Sequence, residues 1–514
     1  MLVRTLRVTP RPWLSLSKYR PRQHLHYKPY STTGPGGPPQ SSVHVPSVAA
    51  LTSDLDRLAP RIDINADQIN VLDGPKEFYE TLKTKIRAAK SRIYLSTLYV
   101  GKTEHELIST IRHALLHNGE ELKVSILTDA LRGTREAPEP SCASLLASLV
   151  AEFPGRVEVR MYHTPNLTGF RKVLIPKRIN EGWGLQHIKL YGIDDEVILS
   201  GANLSNDYFT NRQDRYHVFS SKRVTDYFAQ IHHAVCSISC VLRPSNHPSK
   251  FDLHWPKQNR APNPLEAPWH YIAAATHLLE PLVEPMSAPS APTTNTSVYP
   301  LLCHPPTINT ELPAFTTLLD RPIKSYTFTA GYFNPHPIVT ASLLAVSGPL
   351  YSAPGTILTA SPWANGFFGS KGISGMLPAA YTHLSLKFLE AARGRRLQLR
   401  EWQRGIVGQK DGWTYHAKGL WVTLPGSESK PAGPSATLIG SSNYTTRSYD
   451  LDLEVGAMVV TSDEGLMRKW KREVDILAKP SRQTTEEELA GKDRRASWRV
   501  RVAMWIVRAV GGSL

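Results

Sequence analysis

The 514-residue sequence predicts an α/β protein built from two homologous halves. Three observations carry this reading. Strand and helix patterns alternate along residues 69–163, a Pro/Ser/Thr-rich stretch with neither periodicity interrupts the chain at 284–300, and the same order of patterns then begins again with a second copy of one short chemical motif.

The elements follow in order. Residues 69–118 read as a short strand, a helix (PKEFYETLKTKIRAAK), a strand (RIYLSTLYV) and a helix (EHELISTIRHALLHN), and VSILTDAL and VEVRMYH continue as strands. Beyond the interruption, IKSYTFTAGYF reads as a strand, followed by a helix and the strand GTILTASPW. The expected division is therefore an N-terminal half over 51–280, a linker over 281–300, a C-terminal half over 301–480 and a basic tail over 481–514.

Residues 1–53 hold no Asp or Glu, while Arg4, Arg7, Arg11, Lys18, Arg20, Arg22 and Lys28 alternate with apolar and hydroxyl side chains. This is the pattern of a mitochondrial transit peptide, whose positive charge answers an inside-negative potential. It is expected to occupy 1–50 together with a disordered GPGGPPQSS spacer. The continuous apolar centre of a secretory signal is missing. No run of about 18 apolar residues occurs, so no membrane-spanning helix is expected and membrane association would be peripheral. The formal charge of +16, from 60 Lys and Arg against 44 Asp and Glu, favours anionic partners. Cys142, Cys236, Cys240 and Cys303 are too irregularly spaced for a disulfide framework. His232, His233, Cys236 and Cys240 read as a buried helix face in preference to a zinc site.

The repeated motif is the chemical signal. The first half contains EGWGLQHIKLYGID and then SGANLSNDYFTNRQD, and the second contains DGWTYHAKGLWVT and then GSSNYTTRSYDLDLE. Glu181-Gly182-Trp183 precedes His187, and Asp411-Gly412-Trp413 precedes His416. Lysine follows each histidine by two, at Lys189 and Lys418. Asn203 and Asn443 lie in small-residue turns, and eleven positions beyond each is a carboxylate, Asp214 and Glu454. Histidine serves as nucleophile and proton carrier, lysine and asparagine donate to phosphoryl oxygens, and a carboxylate beside an imidazole sets its tautomer. Residues two apart on a strand share a face, so each His and Lys are expected to project together. Two facing sets supply one histidine to attack phosphorus and one to protonate the leaving oxygen, without a metal.

HIKLYGID followed by the GAN turn resembles the HxKx4D signature of the phospholipase D superfamily. GLQHIKLYGIDDEVILSGANLSNDYFTNRQDRY, YHAKGLW and ASPWANGFFGSKG are similar to the eukaryotic mitochondrial phosphatidylglycerophosphate synthases of that superfamily, over residues of about 69–479. The resemblance implies phospholipase D-like αβα sandwich halves forming one pseudo-twofold active site. It implies CDP-diacylglycerol and glycerol 3-phosphate as partners, no required cofactor, and a place on the matrix face of the inner mitochondrial membrane. His187 would be the nucleophile and His416 the acid and then the base, although pseudosymmetry allows the reverse. Lys189, Lys418, Asn203 and Asn443 would hold phosphoryl oxygens, Asp214 and Glu454 would orient the rings, and Asp194 completes the signature with a structural hydrogen-bonding role. Two departures stand out: Thr423 replaces the second aspartate, and the first turn reads Ser200-Gly201 where the second reads Gly440-Ser441.

Further candidates are weaker. STLYVGKT, with Ser96, Tyr99, Gly101, Lys102 and Thr103, approaches a P-loop but lacks its first glycine, so it is a candidate nucleotide contact only. Arg132 and Arg135 are candidates for the charge of glycerol 3-phosphate or a diphosphate, and Gly369 and Lys371 for a phosphate cradle. In the tail, Trp498, Val502, Trp505 and Ala509 would line one helical face with Arg494, Arg495, Arg501 and Arg508 elsewhere, which suits an anchor on an anionic membrane surface. The competing functional readings are a phospholipase D-type phosphodiesterase or nuclease and a non-catalytic membrane-binding module. The retained His and Lys pairs disfavour the module. The lack of aromatic-interleaved basic strips disfavours a nucleic-acid partner.

Overall fold

The computed structural model describes residues 47–177, 179–285, 294–426 and 433–509. Most of the expected import segment lies outside them. The spacer ends earlier than expected, because Ser47–Leu55 is a helix that buries Leu51 and Leu55.

Local chemistry accounts for the elements. Gly74 caps the helix Pro75–Ala88, whose first-turn proline has no N–H to leave unpaired, and Phe78, Leu82 and Ile86 form its buried stripe at fourfold spacing. The central strands Arg92–Ser96 and Lys123–Asp129 are buried almost throughout, as helix-covered parallel strands require.

The duplication is complete at the level of topology. The first sheet runs Val157–Tyr162, Lys123–Asp129, Arg92–Ser96, Leu190–Ile193, Glu196–Ser200, Tyr216–Phe219, Ile69–Leu72, with Cys240–Pro244 and Phe251–His254 extending its outer edge. The second runs Leu397–Trp402, Gly355–Ala360, Ser325–Ala330, Lys418–Thr423, Ala436–Gly440, Glu454–Thr461, Thr296–His304 in the same positions. In each the first three strands are parallel and every later pairing is antiparallel.

Two boundaries differ from the sequence expectation. Ile62–Ile64 crosses to pair with Thr296, Ser297 and Val298 in the second sheet, so the start of the nominal first half is built into the second. Residues 296–300 of the expected linker are also strand, fully buried. Pro300 is tolerated there because Ile62–Ile64 stops short of it, leaving the missing N–H opposite no ladder partner on that side.

Alternate residues divide between cores. Leu190, Val197 and Leu199 join Trp421, Ile439 and Val455 in a shared core between the halves, whereas Tyr191 and Ile198, and Leu420 and Leu438, face the outer core of their own half. Arg215 staples the shared region. Its guanidinium donates to Glu473 at 2.9 and 3.1 Å and to the Leu438 carbonyl at 2.7 Å, and lies 3.8 Å over the Trp421 ring. Burial raises the Glu473 carboxyl, but Arg215 and His217 hold it well below the usual range. Arg215→Ala strands a buried carboxylate and is expected to lower the unfolding free energy by about 3–5 kcal/mol in a denaturant titration.

Candidate active site

The two histidines stand just before their strands, where the chain of one half pairs with the other. Thr414–Tyr415 pairs with Arg212–Gln213, and the His416 N–H donates to the Gln213 carbonyl at 2.8 Å. On the opposite side Gln186 bridges to Leu453, and the His187 N–H donates to the Leu453 carbonyl at 2.8 Å. In both cases the next residue along the partner strand is the carboxylate. His416 Nδ1 therefore lies 2.6 Å from Asp214 Oδ2, and His187 Nδ1 lies 2.9 Å from Glu454 Oε1. Each half's acid orients the other half's imidazole, so the sets that appear intact within each half are exchanged in space.

A carboxylate at Nδ1 places the proton there and leaves the Nε2 lone pair for chemistry. The two rings differ in what meets Nε2. His187 Nε2 has no hydrogen-bond partner among the described residues, whereas His416 Nε2 lies 3.3 Å from the Tyr208 hydroxyl and its ring stands edge-on to Tyr208 and Tyr332. Burial lowers both imidazoles, His187 well below its ordinary value and His416 to about 3. Burial raises the Glu454 carboxyl to about 7, against the pull of Lys189, Ser441 and Lys418. Burial also pushes Asp214 upward, but Lys418 and His416 overcome it and hold the carboxyl below its ordinary value.

The lysines lie beside the rings. Lys189 Nζ donates to the His187 carbonyl at 2.6 Å, and Lys418 Nζ donates to the His416 carbonyl at 2.8 Å and to Asp214 at 3.2 Å. Burial lowers both, Lys189 strongly, and a bound anion beside them would restore the charge that burial disfavours. The Ser-Gly inversion in the first turn has a steric cause: a Cβ at Gly201 would lie 2.5 Å from Lys418 Nζ and 2.6 Å from Asp214 Oδ1. At the equivalent place Ser441 donates its hydroxyl to Glu454. Asn203 donates to the Tyr208 hydroxyl at 3.2 Å while its Oδ1 is buried without a partner, and the Asn443 side-chain amide has no partner among the described residues.

Asp194 is not brought to the site. It lies at the far end of Leu190–Ile193, about 16 Å of strand from Lys189, in a left-handed turn at φ 50°. Its carboxylate accepts from the backbone N–H of Lys90, Ser91 and Arg92 and from the Ser91 hydroxyl. The second half holds the corresponding strand start through Lys324 N–H donating to the Thr423 carbonyl, which explains why threonine suffices. Asp194→Ala is expected to cost about 1–3 kcal/mol of stability while turnover below the melting transition stays near that of the parent. A turnover loss without a melting shift would reverse this assignment.

The weaker candidates separate. Ser96 is committed to His232, the Gly101 N–H to the Leu204 carbonyl, and Lys102 and Thr103 are exposed, so the convergent N–H donors of a P-loop do not form. Tyr99 does reach the site region, donating to or accepting from Ser205 at 3.3 Å and carrying the Arg132 guanidinium 4.2 Å over its ring. Arg132 Nη1 is buried without a hydrogen bond, its nearest carboxylates 3.8 Å away at Glu136 and Glu181. Arg135 is instead paired with Glu181 at 3.0 Å. Gly369 adopts φ 71° beside open space and Lys371 is exposed, neither touching the histidines. His232 and Cys236 are buried on the helix Lys222–Cys236, His232 bonding Ser96 and Ser125, but His233 is exposed and Cys240 begins the strand Cys240–Pro244, so the expected helix face holds for two of the four.

Sequence reasoning missed Tyr208, Tyr332 and Ser441, for which no spacing rule exists, and also Asp452. The ligand atoms of His187, Asp452 and Glu454 come within 4.8 Å of one another, the one such group among the described residues. Each already has internal partners: His187 and Glu454 bond each other, and Asp452 accepts from Leu185 N–H and pairs with Arg447 at 3.0 Å.

Since Glu454 takes up a proton as pH falls through about 7 and then loses the charge that supports a cationic His187, kcat/KM is expected to show an acidic limb near that pH. In Glu454→Gln the limb should vanish and the rate stay low at all pH. An unchanged limb would assign it elsewhere.

Duplicated α/β sheets that each bring a His and a Lys to the seam where the halves pair define a phospholipase D-like catalytic protein. A family model described as cardiolipin synthase, PLD-like domain, matches residues 82–235. The crystal structure of phosphatidylserine synthase from Haemophilus influenzae Rd KW20 shares the fold, with TM-score 0.70 and 20% identity over 91% of this chain and 98% of that one. Among curated relatives, the CDP-diacylglycerol--glycerol-3-phosphate 3-phosphatidyltransferase of Saccharomyces cerevisiae is 44% identical over 451 residues, spanning 84% of this chain and 85% of its own. The mitochondrial protein of the same name from Homo sapiens is 37% identical over 457 residues, spanning 82% and 79%. The chain belongs to the CDP-diacylglycerol--glycerol-3-phosphate 3-phosphatidyltransferase family.

Proposed function

We propose that the protein transfers the phosphatidyl group of CDP-diacylglycerol to glycerol 3-phosphate through a phosphatidyl-histidine intermediate. The observation that carries this is the unequal provision for Nε2: free on His187, met by the Tyr208 hydroxyl on His416. His187 Nε2 forms a bond to the phosphorus bearing diacylglycerol as the bond to the bridging oxygen breaks, and His416 gives that oxygen a proton as CMP leaves. His416 then takes the proton of a glycerol 3-phosphate hydroxyl, whose oxygen displaces the imidazole. The ionised Asp214 supports the cationic form of His416, and the diphosphate offsets the burial that otherwise keeps it neutral. Lys189, Lys418, Asn203 and Asn443 hold the phosphoryl oxygens, and Arg132 takes charge at the edge of the site.

No metal or other cofactor takes part in this scheme. The animal relatives are named mitochondrial, and the acid-free N-terminal sequence supports import, with the enzyme acting on the matrix face of the inner membrane. Among the described residues no helix is long and apolar enough to cross a membrane.

Incubation with CDP-diacylglycerol and labelled CMP alone tests the intermediate. Exchange of label into the lipid is expected, and its absence would require direct transfer. Adding labelled glycerol 3-phosphate should give phosphatidylglycerophosphate; phosphatidic acid in its place would mean that water resolves the intermediate.

A further inference from the structure

The tail helix Trp498–Ala509 turns out to be divided. Ala496, Val500 and Met504 are buried beside Ala380 of Leu377–Ala391, and Arg494 pairs with Glu401 at 2.7 Å, while Trp498 and Val502 are exposed. Val500 and Met504 are thus spent on the protein itself, and the side chains of Trp505 and Ala509 lie outside those described.

A denser apolar surface stands elsewhere. Phe170, Val173, Leu174 and Ile179 are 86, 81, 75 and 50% exposed within ten residues, and the helix Gly169–Leu174 buries none of its side chains. A six-residue helix is far too short to be stable in water by itself, and large apolar residues so concentrated and so exposed mark a contact surface. Arg171, Lys172 and Lys177 interleave with them, and residues 159–180 contain no Asp or Glu. The segment is rooted beside the catalytic loop. Ile175 packs on a small cluster with Leu98, Leu131, Leu167 and Leu185, Lys177 donates to the Ala137 carbonyl at 2.9 Å, and His187 follows Leu185 by two residues.

We propose that Phe170, Val173, Leu174 and Ile179 insert into an anionic lipid bilayer and seat the His187 side of the site on the surface that holds the lipid substrate. Apolar side chains immersed roughly 5–10 Å among acyl chains with cations at the headgroup level are the arrangement that such a surface rewards. A protein partner is disfavoured because the segment offers cations but no carboxylate. The proposal rests on the phosphatidyltransfer reading only for the source of the lipid.

The test is co-sedimentation with phosphatidylcholine vesicles with and without phosphatidylglycerol, read without catalysis. Wild type should bind the anionic vesicles far better. The triple variant Phe170→Ser, Val173→Ser, Leu174→Ser should lose binding on the order of 10²-fold, Arg171→Glu with Lys172→Glu should lose the preference for anionic lipid, and Trp498→Ser should change binding less than either. Turnover of vesicle-borne CDP-diacylglycerol should fall with binding, while turnover of a short-chain, monomerically soluble analogue stays at the parent rate. Vesicle binding that is absent in wild type or unaffected by the variants overturns the proposal, as does an equal loss on the soluble substrate. Wild type that binds vesicles but turns over neither substrate overturns the catalytic reading instead.

Discussion

His187→Ala is expected to lower phosphatidyl transfer by about 10⁴-fold or more, with an unchanged melting temperature and no CMP exchange. The imidazole is the group that becomes bonded to phosphorus, so no neighbouring side chain substitutes for it. The ring is 7% exposed, and its loss removes one partner from Glu454, which keeps the Ser441 hydroxyl. Residual transfer with the exchange reaction intact would make His416 the nucleophile.

Asp214→Asn is expected to cost about 10³–10⁴-fold. The asparagine amide presents a donor toward His416 Nδ1, the ring takes the opposite tautomer, and Nε2 becomes a donor when it has to accept the hydroxyl proton. Lys418 loses its carboxylate at the same time. The exchanged arrangement makes the result specific: the downfield Nδ1–H proton resonance of His416 should disappear while that of His187, held by Glu454, persists. Loss of the His187 resonance instead would mean that each acid serves its own half.

Much of this is legible in the amino-acid sequence. Short-range patterns report what a local segment does: period-two and helical stripes predicted the strands and helices, and equal offsets between His, Lys, Asn and acid exposed the duplication. The same locality explains the misses. Pro300 argues against a strand by propensity, and only the short partner Ile62–Ile64 makes its position harmless. STLYVGKT resembles a phosphate loop in spelling, but Leu204 claims its key N–H and His232 its serine. Asp194 belongs to the signature by spacing and to a turn by geometry.

Residue order alone establishes two halves, each with a histidine, a lysine, an asparagine and an acid, and one aspartate missing from the second. Which acid serves which ring follows from the fold. The backbone bonds from His187 to Leu453 and from His416 to Gln213 cross between halves, and each places the following carboxylate against the foreign imidazole. Spacing along one chain does not encode that exchange, because it arises from two segments more than 200 positions apart, |i−j| being 267 for His187 and Glu454 and 202 for His416 and Asp214.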